Sequence, residues 1–133
     1  MKCALDTNIV SYIMREDENV IKNWKSEEKR GNRSVIPLMV YYEVKRGLVA
    51  NGASVRLRLF EDLCDAFIIN DLTISDMDTA AVIYANQKRK GKTIEDADLL
   101  IAAQCISNGY TLVTNNIKHF EGIENLLITN WKT

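Results

Sequence analysis

The chain alternates short apolar runs with longer stretches in which apolar residues recur every three or four positions. The short runs predict five strands, at about 3–5, 34–36, 67–69, 111–114 and 126–128. The periodic stretches predict helices at about 7–15, 19–30, 37–50, 54–64, 75–90 and 97–108, with a short helical turn at 117–120. Such alternation is typical of an α/β fold, here a three-layer α/β/α sandwich around a parallel sheet of four to five strands.

Helix-start signals refine some of these boundaries. Pro37 suits the first position of its helix, since its missing N–H would have no partner there. Ser75, with Asp78 three residues later, resembles a capping box and predicts the start of the next helix. Gly91 and Gly109 mark two helix ends.

Composition limits the class of protein. The chain has 133 residues, 47% hydrophobic and 26% charged, with a net charge of −1, which predicts one globular domain over 1–133 rather than a disordered or fibrous chain. No run approaches the roughly 20 apolar residues of a membrane span. Asp6 interrupts any apolar core of a signal peptide, so we expect a cytoplasmic protein without a membrane partner.

The three cysteines lie in apolar runs and predict no disulfide or zinc site. Cys3, Cys64 and Cys105 are odd in number and form no CxxC pair, and His119 is the only histidine. We therefore expect small buried thiols in a reducing compartment.

One acid falls on a helical face that is otherwise apolar. Asp98 shares its face with three apolar residues, Ile101, Ala102 and Cys105. Asp96 falls on the wetter side, beside Gln104 and Ser107, and suits the helix N-terminus. An acid on an inward face costs several kcal/mol unless something compensates its charge, by a rough estimate.

Two further acids are predicted near the same edge of the sheet. Asp6 directly follows the first strand, where Thr7 and Asn8 are placed to support it or to contact phosphate, and Glu43 lies beside the buried stripe of the 37–50 helix. Each acid alone has an ordinary structural explanation, such as a helix cap. Together they would repel one another unless cations lay among them, and hard divalent cations take oxygen ligands.

The fourth strand ends in polar residues that could join these acids. Thr114, Asn115 and Asn116 carry side-chain oxygens at the carboxyl edge of the predicted sheet. The alternative explanation is an ordinary turn, in which Asn is common. Whether Asp96, Thr114 or Asn115 assists the site is left open by the sequence.

Several segments resemble one known family. LDTN, VYYEVKRG, DADLLIAAQC and TLVTNNIKHF, followed by IENLLITNW, resemble PIN-domain ribonucleases, and especially the toxin half of VapBC-type toxin–antitoxin pairs. The resemblance covers nearly the whole chain. It implies a PIN-like sandwich in which Asp6, Glu43 and Asp98 are catalytic metal ligands. Asn116 matches a fourth catalytic position, which is often Asp and often Asn.

The resemblance also implies an activity and partners. It implies an endoribonuclease, dependent on Mg²⁺ or Mn²⁺, that hydrolyses RNA phosphodiester bonds without a covalent intermediate. The implied partners are RNA, a VapB-like antitoxin lying over the site and a second copy of the chain in a homodimer. With Asn rather than Asp at 116, the site holds one negative charge fewer.

Rival functions remain to be weighed. A haloacid-dehalogenase-like phosphotransferase needs a second Asp where this chain has Asn8, a receiver domain needs an earlier acidic pair, and neither GxGxxG nor GxxxxGK[ST] occurs. A non-cleaving PIN-fold module that binds RNA or protein and a structure-specific DNA nuclease stay as alternatives.

Two other features have competing interpretations. The basic segment 87–92, QKRKGK, suits either an RNA backbone or a solvated helix end, and Lys45 and Arg46 have the same two interpretations. For His119 we expect packing or a hydrogen bond rather than the role of a general base.

Overall fold

The apolar runs of the sequence form the strands of one sheet. The computed structural model describes residues 2–133, and within them five strands alternate with helices. The strands are β1 Cys3–Leu5, β2 Val35–Pro37, β3 Ile68–Asn70, β4 Thr111–Val113 and β5 Leu127–Thr129. The α-helices are α1 Thr7–Met14, α2 Glu18–Lys29, α3 Leu38–Ala50, α4 Ser54–Leu63, α5 Ile74–Arg89, α6 Asp96–Asn108 and α7 Ile117–Phe120, and a 3-10 turn spans Cys64–Ala66.

The sheet is parallel throughout and has the order β3-β2-β1-β4-β5. Every residue of β1, β2 and β4 is buried, because these central strands are covered by helices on both faces. The predicted α/β/α sandwich is therefore confirmed, with the larger of the two strand numbers.

The strand order reverses direction beside β1. The chain first adds β2 and β3 on one side of β1, then crosses to add β4 and β5 on the other side. In open parallel sheets, ligands bind beyond the carboxyl ends of the strands at this switch point. Asp6 follows β1 and Thr114 follows β4, so both residues lie at that place.

The predicted cap of α5 is wrong by two residues. Thr73 caps the helix: its hydroxyl accepts from the Asp76 N–H at 3.2 Å, and the Asp76 carboxylate accepts from the Thr73 N–H at 2.9 Å. Ser75 and Asp78 have the same spacing, but Asp76 is also held by side chains at the end of α6 and is 1% exposed. Tertiary contacts of Asp76 therefore favour the Thr73 cap over the Ser75 cap, although both have the same sequence spacing.

Three smaller expectations also change. Pro37 ends β2 and precedes the helix, since its extended backbone (φ −59°, ψ 147°) continues the strand. Gln104 lies in the core rather than on the wetter side, and its amide donates to two backbone carbonyls at the end of β3, those of Asn70 and Asp71. Cys64 is only partly buried, whereas Cys3 and Cys105 are buried as expected, and all three thiols are free.

No helix within residues 2–133 combines the length and the apolar character needed to cross a membrane.

Candidate active site

Asp6 is buried at the end of β1 and is fixed through both carboxylate oxygens. Its Oδ1 accepts from the Thr7 N–H at 2.8 Å, which also caps α1. Its Oδ2 accepts from the Thr114 hydroxyl at 2.7 Å and from the Asn8 amide at 3.2 Å. The carboxylate is 5% exposed, and it is both a helix cap and a charge held at the switch point of the sheet.

Glu43 is joined to Asp6 through Thr7. The Thr7 hydroxyl donates to Glu43 Oε1 at 2.9 Å, while the N–H of the same residue donates to Asp6. The Arg46 guanidinium lies 3.9 Å from Glu43 Oε2. Glu43 therefore leans from α3 toward the start of α1, at the edge of the buried stripe where the sequence placed it.

Asp98 projects from the first turn of α6 into the same negative environment. Burial raises the pKa of its carboxyl group, and the charges of Asp6 and Glu43 raise it further, against the lowering effect of His119. His119 Nδ1 lies 3.3 Å from Asp98 Oδ2. Asp98 therefore lies within electrostatic reach of Asp6 and Glu43, on the inward face that the helical pattern predicted for it.

An open cleft leads to Asp98 from the surface. Its lining comes from the segment before α6 and from α7, namely Thr93, Ile94, Glu95, Asp98, Lys118 and His119. Lys118 and His119 place cationic or hydrogen-bonding groups in this lining, and Glu95 and Asp98 contribute its carboxylates. An anionic chain can therefore approach the acids along this cleft.

Asn116 lies at the predicted edge, but its side chain is exposed. Its backbone N–H donates to the Thr114 hydroxyl at 3.0 Å, which in turn donates to Asp6. Within residues 2–133 the Asn116 amide makes no side-chain hydrogen bond that would fix its direction. Its catalytic role therefore stays a prediction.

The neighbouring candidates have other positions. Asp96 is exposed at the first residue of α6. Asn115 braces the edge of the site: its N–H donates to Asn8 Oδ1, its amide donates to the Tyr12 hydroxyl, and its oxygen accepts from Asn130. Thr114 contacts Asp6 directly, so of the three residues left open only Thr114 touches a site acid.

Some contacts were predicted from the sequence and some were not. Support of Asp6 by Thr7 and Asn8 is confirmed, as is a polar contact of His119. The bond from Thr7 to Glu43 was missed, because 36 positions separate the pair and no sequence signal marks it. The sequence also suggested that Arg46 lies on the other side of its helix from Glu43, although their three-residue spacing allows the contact that is observed.

The family model for the PIN domain matches residues 3–125 of this chain. Ribonuclease VapC2 of Rickettsia felis is 33% identical over 132 residues, which are 96% of each chain. The tRNA(fMet)-specific endonuclease VapC of Salmonella typhimurium is 30% identical over 138 residues and 98% of each chain.

A solved structure agrees with these sequence matches. In the crystal structure of VapBC2 from Rickettsia felis bound to a DNA fragment from its promoter, one chain is 29% identical and superposes with a TM-score of 0.87, covering 98% of this chain and 99% of that one. The resemblance seen in the sequence is confirmed. The chain belongs to the PIN-domain family, in its group of VapC ribonucleases.

Proposed function

We propose that this protein is a metal-dependent endoribonuclease that acts as the toxin of a type II toxin–antitoxin pair. In this proposal Asp6, Glu43 and Asp98 hold Mg²⁺ or Mn²⁺, and Asn116 completes the catalytic site. The observation that supports the proposal is that Thr7 hydrogen-bonds both Asp6 and Glu43, while the charges of these two acids are among the causes that raise the pKa of Asp98.

The donor chemistry fits a hard divalent cation. All three side chains offer carboxylate oxygens, the ligands that Mg²⁺ and Mn²⁺ prefer. Within residues 2–133, no group of three Asp, Glu, His or Cys side chains is already arranged to coordinate one metal ion. The Glu43 and Asp98 side chains are each about one-fifth exposed, so a cation can reach them from solvent, whereas Asp6 is buried and held by hydrogen bonds.

Side chains of this protein would position the three carboxylates and the RNA phosphodiester for the reaction. Asp6 provides the fixed carboxylate, Thr7 orients Glu43 beside it, and His119 holds the direction of Asp98. Lys118 faces the approach of the phosphodiester. A divalent cation bound among the acids supplies charge neutralisation for the phosphate and lowers the pKa of water.

A general base from the protein is not required by this arrangement. His119 is the only histidine, and its Nδ1 lies 3.3 Å from Asp98 Oδ2. We therefore assign it a positioning role.

The partners follow from the relatives. The similar complex from Rickettsia felis is named VapBC2, so we propose a VapB-like antitoxin for this chain. We further propose a homodimer that acts in the cytoplasm. Because the Salmonella relative is named a tRNA(fMet)-specific endonuclease, initiator tRNA is the first RNA to test, with messenger and ribosomal RNA beside it.

A matched pair of variants on α6 tests the metal site. In a titration with Mn²⁺ followed by RNA cleavage, we expect the wild-type protein to cut RNA and Asp98→Asn to lose at least about a hundredfold in rate, since a direct ligand is lost. Asp96→Asn removes the same charge two residues away on an exposed position and should cut like the wild type.

Equal cleavage by the wild type and Asp98→Asn would refute the assigned site. RNA binding without cleavage by the wild type at any Mn²⁺ or Mg²⁺ concentration would instead favour the non-cleaving binding module. Cleavage of branched DNA but not of RNA would favour the DNA nuclease.

A further inference from the structure

An exposed tyrosine and an arginine lie directly beside Glu43. Tyr42 is 52% exposed on α3, and the Arg46 guanidinium carbon lies 5.2 Å from the centre of its ring. The same guanidinium lies 3.9 Å from Glu43 Oε2. One arginine thus bridges an exposed aromatic ring and an acid of the site.

Tyr42 and Arg46 contribute little to the stability of the fold. The neighbouring Tyr41 packs against Phe60 in the core, with ring centres 5.6 Å apart, whereas Tyr42 points away from that core. A cation–π contact at an exposed position is worth only about 0.5–1 kcal/mol. Such a contact does not offset the exposure of a large ring, so the Tyr42 surface is available for a ligand.

A second set of cations lies beyond Asp6. Arg15 and Lys132 approach the ring of Tyr12 at 5.5 and 5.1 Å from its centre. The Tyr12 hydroxyl accepts from Asn115, which is linked through Asn8 to Asp6. Arg15 and Lys132 are therefore connected to Asp6 through Tyr12, Asn115 and Asn8, and Lys132 Nζ is also paired with Asp17 at 2.7 Å.

We propose that Tyr42 and Arg46 form a stacking platform for one unpaired base of the RNA that is cut at the acids. This inference rests on the proposed function and narrows its substrate to RNA with unpaired nucleotides at the cleavage site. A base can reach the Tyr42 ring only when it has left its own stack, as in loops and single strands. Arg46 then contacts the adjoining phosphate, and Arg15 beside Tyr12 contacts the backbone farther along the strand.

Binding of abasic RNA tests the platform without relying on cleavage. The probes are a labelled single-stranded RNA oligonucleotide and versions with one abasic nucleotide at each position in turn, measured by fluorescence anisotropy in EDTA. For the wild type, we expect one position at which loss of the base weakens binding by about 5- to 150-fold. Tyr42→Leu should bind the intact RNA as weakly as the wild type binds the RNA with that base removed. Removing the base at that position should not weaken the binding of Tyr42→Leu any further.

Two control variants separate stacking from a general disturbance. Tyr42→Trp keeps an aromatic face and should retain binding and the abasic effect. Tyr84→Leu removes a tyrosine of nearly equal exposure, 51%, from α5 and should bind like the wild type. A thermal unfolding scan checks that each variant remains folded.

The outcomes separate this inference from the proposed function. RNA cleavage in Mn²⁺ together with unchanged RNA binding by Tyr42→Leu would overturn the platform and leave the nuclease intact. A Tyr42-dependent abasic effect without cleavage in Mn²⁺ would overturn the nuclease and leave the platform. Failure of the wild type to bind any RNA, or equal binding of duplex and single strand with no sensitive position, would overturn the platform as well.

Discussion

Thr7 organises two acids from a single position. Its N–H fixes Asp6 and its hydroxyl fixes Glu43, so the relative placement of the two carboxylates depends on one side-chain torsion. Threonine is branched at Cβ, which limits that torsion more than serine would. In the proposed nuclease we therefore assign Thr7 a positioning role rather than a catalytic one.

Replacing the Thr7 hydroxyl tests this role. Thr7→Val keeps the shape and removes the donor to Glu43, so we expect cleavage to need a higher half-saturating Mn²⁺ concentration and to fall by about 10- to 100-fold. Thr7→Ser restores the hydroxyl and should recover most of the activity. The measurement is the rate of RNA cleavage across an Mn²⁺ titration.

A purely structural role predicts a different result. Thr7→Val would then lower the free energy of unfolding while its Mn²⁺ dependence stayed that of the wild type. Urea unfolding of both variants distinguishes these cases.

Individual site residues differed in how far the sequence could identify them. Asp98 could be recognised because its helical face is otherwise apolar, and the neighbours on that face are indeed fully buried. Glu43 was placed only at the edge of a stripe, and its link to Thr7 depends on how α1 packs against α3. A pattern within one helix carries no information on that packing.

At the scale of elements, α5 depends on its capping box. Thr73 and Asp76 satisfy each other's backbone N–H groups, and Asp76 also fastens the helix start to the end of α6. The helix start is therefore held by both local and tertiary hydrogen bonds.

Two hydroxyl deletions compare the observed cap with the one that the sequence suggested. Thr73→Ala should lower the free energy of unfolding by about 0.5–2 kcal/mol, because the Asp76 N–H loses its acceptor. Ser75→Ala, at an exposed position inside the helix, should change it by no more than about 0.5 kcal/mol. Urea denaturation measures both, and a larger loss for Ser75→Ala would contradict the assignment.

The helices and strands could largely be predicted from the sequence, but their first and last residues less well. Every predicted strand and helix is present, because apolar runs and three-to-four spacing reflect burial directly. The second, third and fifth strands were each placed one residue too early. Their limits follow from pairing with neighbouring strands, such as that of Val35 with Ile68 and of Pro37 with Asn70. Gln104 was placed in solvent because polarity suggested it, whereas its amide finds carbonyl partners in the core.

At the scale of the whole molecule, late residues of the chain brace the first two helices. Lys132 Nζ lies 2.7 Å from Asp17 Oδ2, and the carbonyls of Trp131 and Lys132 accept from Asn23 and Asn19. The strand order that creates the switch point could not be predicted from the sequence pattern alone, because strand pairing joins distant parts of the chain. That residues 1–133 form one domain stays a prediction.

The brace gives stability a specific dependence on pH. The hydrogen bond from Lys132, together with the Val20 N–H, lowers the pKa of Asp17 below its ordinary 3.8. A lowered pKa in the folded state means that the charge stabilises the fold above the ordinary pKa and that this contribution is lost as pH falls through the folded pKa. Asp17→Asn keeps an acceptor for the cap and removes the charge.

We expect the difference in unfolding free energy between wild type and Asp17→Asn to be constant above about pH 4–5 and to shrink below the ordinary pKa of 3.8. Urea unfolding from pH 7 to pH 3 measures it. In a Lys132→Met background the difference should be smaller at every pH. A difference independent of both pH and Lys132 would contradict the brace.

The hydrogen bond between Thr114 and Asp6 spans 108 positions of the chain, and it has a consequence for translation. A ribosome adds Asp6, Glu43 and Asp98 well before it adds the hydroxyl that fixes Asp6 and the strand that covers the open edge of β1. A nascent polypeptide that has not reached Thr114 therefore carries all three acids without the framework that aligns them. For an enzyme that hydrolyses RNA, this order of synthesis delays the ability to cleave RNA until Thr114 has been added to the growing chain.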